Sequence, residues 1–197
     1  MSRVAHWAQN RTIAFYPTPI ARQLNSGPGA ELAVLHLYVL SGVDRFVNLV
    51  QWFSMVGSII GTSLIAKQLG ADSKGQILAA TAAATIPMGI LQGSSTQTDY
   101  AVSFWLVCFV SSALPMATTD RKGWPQRLTV GGSLGLALLV KATAYIFATP
   151  FAIWLGVRQL RSKPGRGLTS LGIVAAIAIA VNLGFYLRNM EMNGSPL

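Results

Sequence analysis

Along the chain, long runs without a charged residue alternate with short segments in which charge is concentrated. Residues 46–66, 75–98, 100–119, 128–140, 142–157 and 167–187 contain no Asp, Glu, Lys or Arg. Four of these runs reach the roughly 20 residues an α-helix needs to cross ~30 Å of hydrocarbon. The pattern predicts an all-α protein, a polytopic membrane helix bundle. Its spans fall at about 46–66, 76–93, 100–119 and 168–187, with a broken hairpin over 128–157. Residues 1–45 form an external loop bearing short interfacial helices, and residues 188–197 begin another external loop. Within the first loop, "FYPTPI" and "NSGPGAE" read as extended or turning backbone. "ELAVLHLYVLSG" reads as a helix too short to span, with Leu32, Leu35 and Val39 on one face and Leu40 beside them. Such a helix is expected to lie at the membrane surface.

The positions of the charges orient the spans. Lys67 and Lys74 follow the first span, and Arg121, Lys122 and Arg127 follow the third. Arg158, Arg161, Lys163 and Arg166 precede the last. The loop "QGSSTQT" has no basic residue. The three basic loops therefore belong on the cytoplasmic side and the neutral one outside. Residues 127 and 158 then share a side, so the chain between them crosses an even number of times. Its two halves, 13 and 16 residues, give roughly 20 and 24 Å of helix. A bent hairpin with its apex at "VKATA" satisfies both conditions. It places Lys141 near the outer face.

Composition supports a membrane protein. The chain is 52% hydrophobic and 11% charged, against about 25% charged in soluble domains. The net charge of +9 reads as loop charge. No basic patch carries interleaved aromatics, so no nucleic-acid partner is expected. Cys108, the single cysteine, has neither a disulfide partner nor metal-ligand spacing around it. His6 and His36 lack a third ligand at metal spacing. The N-terminus has no apolar signal-peptide core.

Few residues in these runs can do chemistry. Asp99 opens the third span. It is either an acidic residue at the membrane rim that orients an acceptor, or a carboxylate favoured by the helix dipole with Thr98 as a cap; the two roles are compatible. Lys141 either contacts a phosphate or carboxylate, or snorkels to anchor the apex. Asp99 is its expected partner, since both are placed on the outer side. Arg3, Arg11, Arg22, Arg45 and Arg188 fall on the side that the positive-inside rule disfavours. A lipid phosphate is one reason for them, with Arg22 and Arg188 the leading binders; interfacial anchoring is the other. Asp44 is expected to pair with or cap beside Arg45, and Glu31 to open the surface helix. "GSIIG" at 57–61 and "GGSLG" at 131–135 have the spacing that lets helices approach. Pro87, Pro115 and Pro150 are expected within spans. "NRT" at 10–12 has the N-glycosylation acceptor pattern.

Several segments, in order, resemble a known family. "RVAHWAQNRTIAFYPTPIARQLNSGPGAELAVLHL" with "SGVDRFVNLVQW" resembles the first external loop of GT-C-type membrane glycosyltransferases. The nearest branch is that of the bacterial protein mannosyltransferases and aminoarabinose transferases. "SSTQTDYAVSFWLV" resembles their second external loop, and "GLALLVKATAYIFATPFAIW" resembles their "GLALLTKG"-like segment. "FYLRNMEMNGSPL" looks like a span end leading into a large external loop. The resemblance implies a transferase of the bacterial inner membrane that moves a sugar from a polyprenyl-phosphate donor to a glycan, lipid or protein acceptor outside. Taken with the residue readings above, Asp99 is the expected catalytic residue, with Lys141, Arg22 and Arg188 as the expected substrate-binding residues. The family's general base is expected after a first span that would precede Met1, so the chain is expected to be a piece of a longer enzyme, or one read from a start downstream of the true one, without that base of its own. No cofactor is implied by this chain, and a divalent metal is left to the longer enzyme. The competing class is a non-catalytic membrane protein, a transporter or a scaffold subunit.

Overall fold

The computed structural model describes residues 2–14, 16–20, 26–118, 123–162 and 164–195. Its regular structure is helical, and no strand occurs among these residues. Two short helices come first, α1 (Ser2–Asn10) and α2 (Gly29–Ser41), followed by a 3-10 turn at Asp44–Phe46. Then come α3 (Leu49–Gln68), α4 (Ser73–Ala84), α5 (Pro87–Gly93) and α6 (Asp99–Thr118). α7 (Trp124–Val140), α8 (Thr143–Ser162) and α9 (Pro164–Asn193) complete the chain.

Among the described residues, three helical segments are long and apolar enough to cross a membrane: Asp44–Gln68, Asp99–Thr118 and Gly165–Met192. They correspond to the first, third and last expected spans. Their outward faces carry large apolar side chains such as Phe53, Ile60, Leu64, Ile179 and Leu183, all exposed. Water would disfavour such a surface, whereas hydrocarbon accepts it.

The expected span at 76–93 is not one helix. It divides into α4 and α5, because Ile86 is extended (φ −62°, ψ 112°) and Pro87 occupies the first helical position. Proline disfavours helical backbone in the residue before it and is well suited to begin a helix. Pro115 and Pro150, in contrast, lie inside α6 and α8 as expected. The last span is also longer than expected. α9 runs on through Arg188 to Asn193, and Gly194, at φ 68°, follows it. Residues 188–193 are thus helix rather than the start of a loop.

Side-chain contacts fix how the long helices run. Gln51 accepts a hydrogen bond from the Ala101 amide (3.3 Å), Gly57 faces Phe104, and Gly61 faces Val107. α3 and α6 are therefore parallel. Gln126 Nε2 donates to the Ser112 carbonyl, and Gln159 Nε2 donates to the Met116 carbonyl (2.7 Å). Both outer limbs of the 124–162 segment thus return to the C-terminal end of α6, while its middle meets the start of α6. The segment therefore doubles back on itself, with the helix interrupted at Lys141–Ala142. α9 runs back alongside α7: Arg127 Nε donates to Ser170 Oγ (3.1 Å), and Asn182 Nδ2 donates to the Gly135 carbonyl (2.9 Å). Phe109, Ala113, Met116, Val130, Ala148, Leu155 and Val174 form the core where α6 to α9 meet.

Two adjacent glycines in α7 have opposite surroundings. A Cβ at Gly131 would lie 2.8 Å from the Val174 carbonyl oxygen, whereas one at Gly132 would meet nothing within 4 Å. Gly131→Ala is expected to cost about 1–3 kcal/mol through overpacking. Gly132→Ala is expected to add about 0.5–1 kcal/mol through helix propensity. Thermal unfolding of the purified variants in one detergent would show whether the two shifts have opposite signs.

Candidate functional site

The site forms where helix stops. α7 ends at Val140, and Lys141 is extended (φ −159°, ψ 138°). Its amide still donates to the Ala137 carbonyl (3.3 Å), and its own carbonyl accepts from the Ala144 amide (3.0 Å), which starts the next turn. The interruption turns the lysine side chain toward Asp99, the first residue of α6. Lys141 Nζ lies 2.5 Å from Asp99 Oδ1, and the two side chains are 36% and 35% exposed. The Asp99 carboxylate thus faces positive charge from two directions, the ammonium and the N-terminal end of α6.

Neighbouring groups hold this geometry. Ser103 Oγ donates to the Asp99 carbonyl (2.8 Å). The Ala101 amide, one of those left without an intrahelical acceptor in the first turn of α6, is capped by buried Gln51 from α3. Ala30, at the start of α2, packs with Ala101, Val102, Ala137, Val140 and Ala144. Gly27 and Gly29 lie directly against the Leu139 carbonyl. The N-terminal segment therefore forms a wall beside the acid–base pair.

That wall has its own anchor. Arg3 is 5% exposed. Its guanidinium donates to the Ser26 carbonyl (3.1 Å), lies 3.8 Å from Glu31 and sits 5.6 Å from the Trp7 ring centre. Arg188 of α9 lies in the neighbourhood of Arg3. Below the break, the Tyr145 and Tyr186 hydroxyls are 2.6 Å apart and join α8 to α9.

Of the expected residues, Asp99 and Lys141 meet. Arg188 lies near Arg3, and Arg22 is outside the described residues. Glu31 stands in the first turn of α2, as expected, and also serves as the counter-ion of Arg3. Asp44 opens the 3-10 turn, and Arg45 lies over the Phe46 ring at 5.8 Å. Among the described residues the ion pairs are Arg3–Glu31 and Asp99–Lys141, so an Asp44–Arg45 pair is not formed. His6 stacks on Tyr16 with ring centres 3.8 Å apart. Among the described residues, no group of three or more His, Cys, Asp or Glu could hold a metal ion.

Sequence reasoning missed Gln51, the burial of Arg3 and the tyrosine pair. Gln51 alone left a signal, as a long polar side chain in an otherwise apolar span, where such groups tend to bond across helices. An ammonium has three N–H donors, and Asp99 takes one. The break thus offers a cation for an anionic ligand and, beside it, a carboxylate for a hydroxyl or a proton. No protein-family model, curated protein or solved structure matches the chain.

Proposed function

We propose that this chain is a polytopic membrane protein acting in glycosyl transfer, as a GT-C-type glycosyltransferase or a piece of one. In this reading it moves a sugar from a polyprenyl-phosphate donor to a glycan, lipid or protein acceptor on the extracytoplasmic face of a bacterial inner membrane. One observation supports this best: the Asp99–Lys141 pair stands at the end of the bundle away from Arg127, Arg158 and Arg161. By the positive-inside rule, the basic end is cytoplasmic. The pair then faces the outer headgroup region, where a lipid phosphate resides.

The chemistry follows from the two groups. The donor phosphate takes Lys141 in exchange for Asp99. The acceptor hydroxyl attacks the anomeric carbon, the bond from that carbon to the phosphate oxygen breaks, and polyprenyl phosphate leaves. Asp99 orients the hydroxyl and takes up its proton in the absence of a better-placed base. Lys141 stabilises the phosphate as its charge grows. The test is transfer of a labelled sugar from polyprenyl phosphate in membranes containing this chain, or its reading frame extended upstream of Met1.

The orientation has its own test. In a Cys108→Ala background, single cysteines at Trp124 and Ser162 are expected to react with a membrane-impermeant maleimide only after the cytoplasmic side is opened. A cysteine at Ala142 is expected to react from outside. Labelling of positions 124 and 162 from different sides would remove the hairpin and the site built on it.

A second reading is a transporter or scaffold subunit, and the break at Ile86 favours it. With the break at Lys141 it makes two interrupted apolar segments, a feature of transporter folds. Vesicle uptake of a labelled solute without a glycosylated product would support that reading over transfer.

A further inference from the structure

We infer that the groove between α1 and α2 seats one acyl chain of an anionic phospholipid, with the headgroup phosphate on Arg11. Two independent observations meet at that residue. The first is backbone geometry. Arg11 is at φ 51°, the single non-glycine residue with positive φ among those described. The Thr12 amide donates to the Trp7 carbonyl (3.3 Å). This closes a Schellman turn in which Arg11 fills the left-handed position that glycine usually takes. An L side chain is disfavoured there, so the arginine persists against the local backbone preference.

The second is position. Arg11 lines a cavity of about 650 Å³ with Trp7, Ile13, Leu35 and Val39. Among the described residues, no acidic side chain lines it. The nearest acid along α2, Glu31, is engaged by Arg3 instead. The rim is apolar and open, with Ile13 and Val39 exposed and Leu40 exposed beside them. Val34 of α2 packs against Val4 and Val47, just ahead of α3, so the groove adjoins the start of a helix long enough to span. The groove lies at the end of the bundle that carries Lys141, which on the proposed orientation is headgroup depth. Among the described residues this is an apolar slot with Arg11 at its lip and no anion, which complements a lipid with an acyl chain and a negative headgroup. α7 and α8, which carry the pair's lysine and its flanks, contribute nothing to the lining, so the groove is distinct from the proposed donor site.

Arg11→Gly separates this role from a structural one, because it removes the charge and relieves the backbone together. The full chain would be purified from nanodiscs of phosphatidylcholine doped with phosphatidylglycerol, and the retained lipid counted by native mass spectrometry. The wild-type chain is expected to keep one phosphatidylglycerol, preferred over phosphatidylcholine by about fivefold, the effect of one cation near an anionic headgroup. Arg11→Gly is expected to lose the preference with an equal or higher Tm, and Arg11→Lys to keep part of it. Unchanged preference in Arg11→Gly overturns the assignment. So does equal retention of phosphatidylcholine by the wild type, or displacement of the phospholipid by an equal amount of polyprenyl phosphate. The readout is lipid retention, so it stands whether or not sugar transfer is found.

Discussion

Lys141→Ala and Asp99→Asn are each expected to lower sugar transfer at least tenfold, a loss of roughly 1.4 kcal/mol of transition-state stabilisation. In the proposed mechanism, the alanine variant removes the cation that would meet the donor phosphate. The asparagine variant removes the carboxylate that would orient the acceptor and that lies 2.5 Å from the lysine. Each single change also leaves one charge without its partner, so stability must be measured alongside activity. Both side chains are about one-third exposed, so water screens the pair, and a coupling of about 0.5–1 kcal/mol is expected in a double-mutant cycle. The charge-swapped variant Asp99→Lys, Lys141→Asp decides between the two roles. It restores an ion pair, so thermal stability is expected to recover. Transfer is not expected to recover, because the cation now stands on α6 and the carboxylate at the break. Recovery of both would make the pair a structural clasp. Undiminished turnover in both single variants, at normal protein levels, would remove the site.

Much of the helical framework was legible, because charge-free length translates directly into helix in an apolar setting. Residues 49–66, 100–118 and 167–187 of these runs each lie in one helix. The hairpin was legible for another reason. A lysine between two short apolar runs, with basic segments beyond both, has few arrangements that keep every charge near water. Sequence could not distinguish Pro87 from Pro115 and Pro150. All three lie in uncharged runs, yet only Pro87 begins a helix. The difference lies in Ile86, extended ahead of Pro87, whereas Leu114 and Thr149 keep helical backbone.

The site was partly legible. Asp99 and Lys141 stood out as isolated charges, and orientation placed them at one end. Gln51 on the Ala101 amide and Arg3 against Glu31 depend on contacts across 50 and 28 residues of chain. No periodicity encodes such contacts. Arg3 also ran against expectation, since an N-terminal arginine in a loop is ordinarily solvated, whereas here it is buried and pins α1 to α2.

Gly27→Ala is expected to lift the N-terminal segment off the hairpin. A Cβ at this position would overlap the carbonyl oxygen of Leu139 and would lie 2.7 Å from its carbonyl carbon and 3.3 Å from the Leu138 oxygen. These are backbone atoms of the last turn of α7, so no side-chain rotation relieves the clash. Gly29 stands against the same carbonyl, which leaves the segment no room to slide along the helix. The cost is expected near the upper end of ordinary overpacking, about 3 kcal/mol. Gly172→Ala is the control, since a Cβ there meets nothing within 4 Å; it is expected to be neutral or slightly stabilising. Displacement is separable from general loss of fold by a cysteine at Val4, which is 1% exposed in the small core shared with Val34 and Val47. In a Cys108→Ala background, that cysteine is expected to resist a maleimide while residue 27 is glycine and to react once it is alanine, with the α6–α9 core still folded by circular dichroism. The wall beside Lys141 is lost in the same step, because Ala30 is carried on the displaced segment. An unchanged Tm together with continued protection of position 4 would show that residues 26–30 do not rest on the hairpin apex.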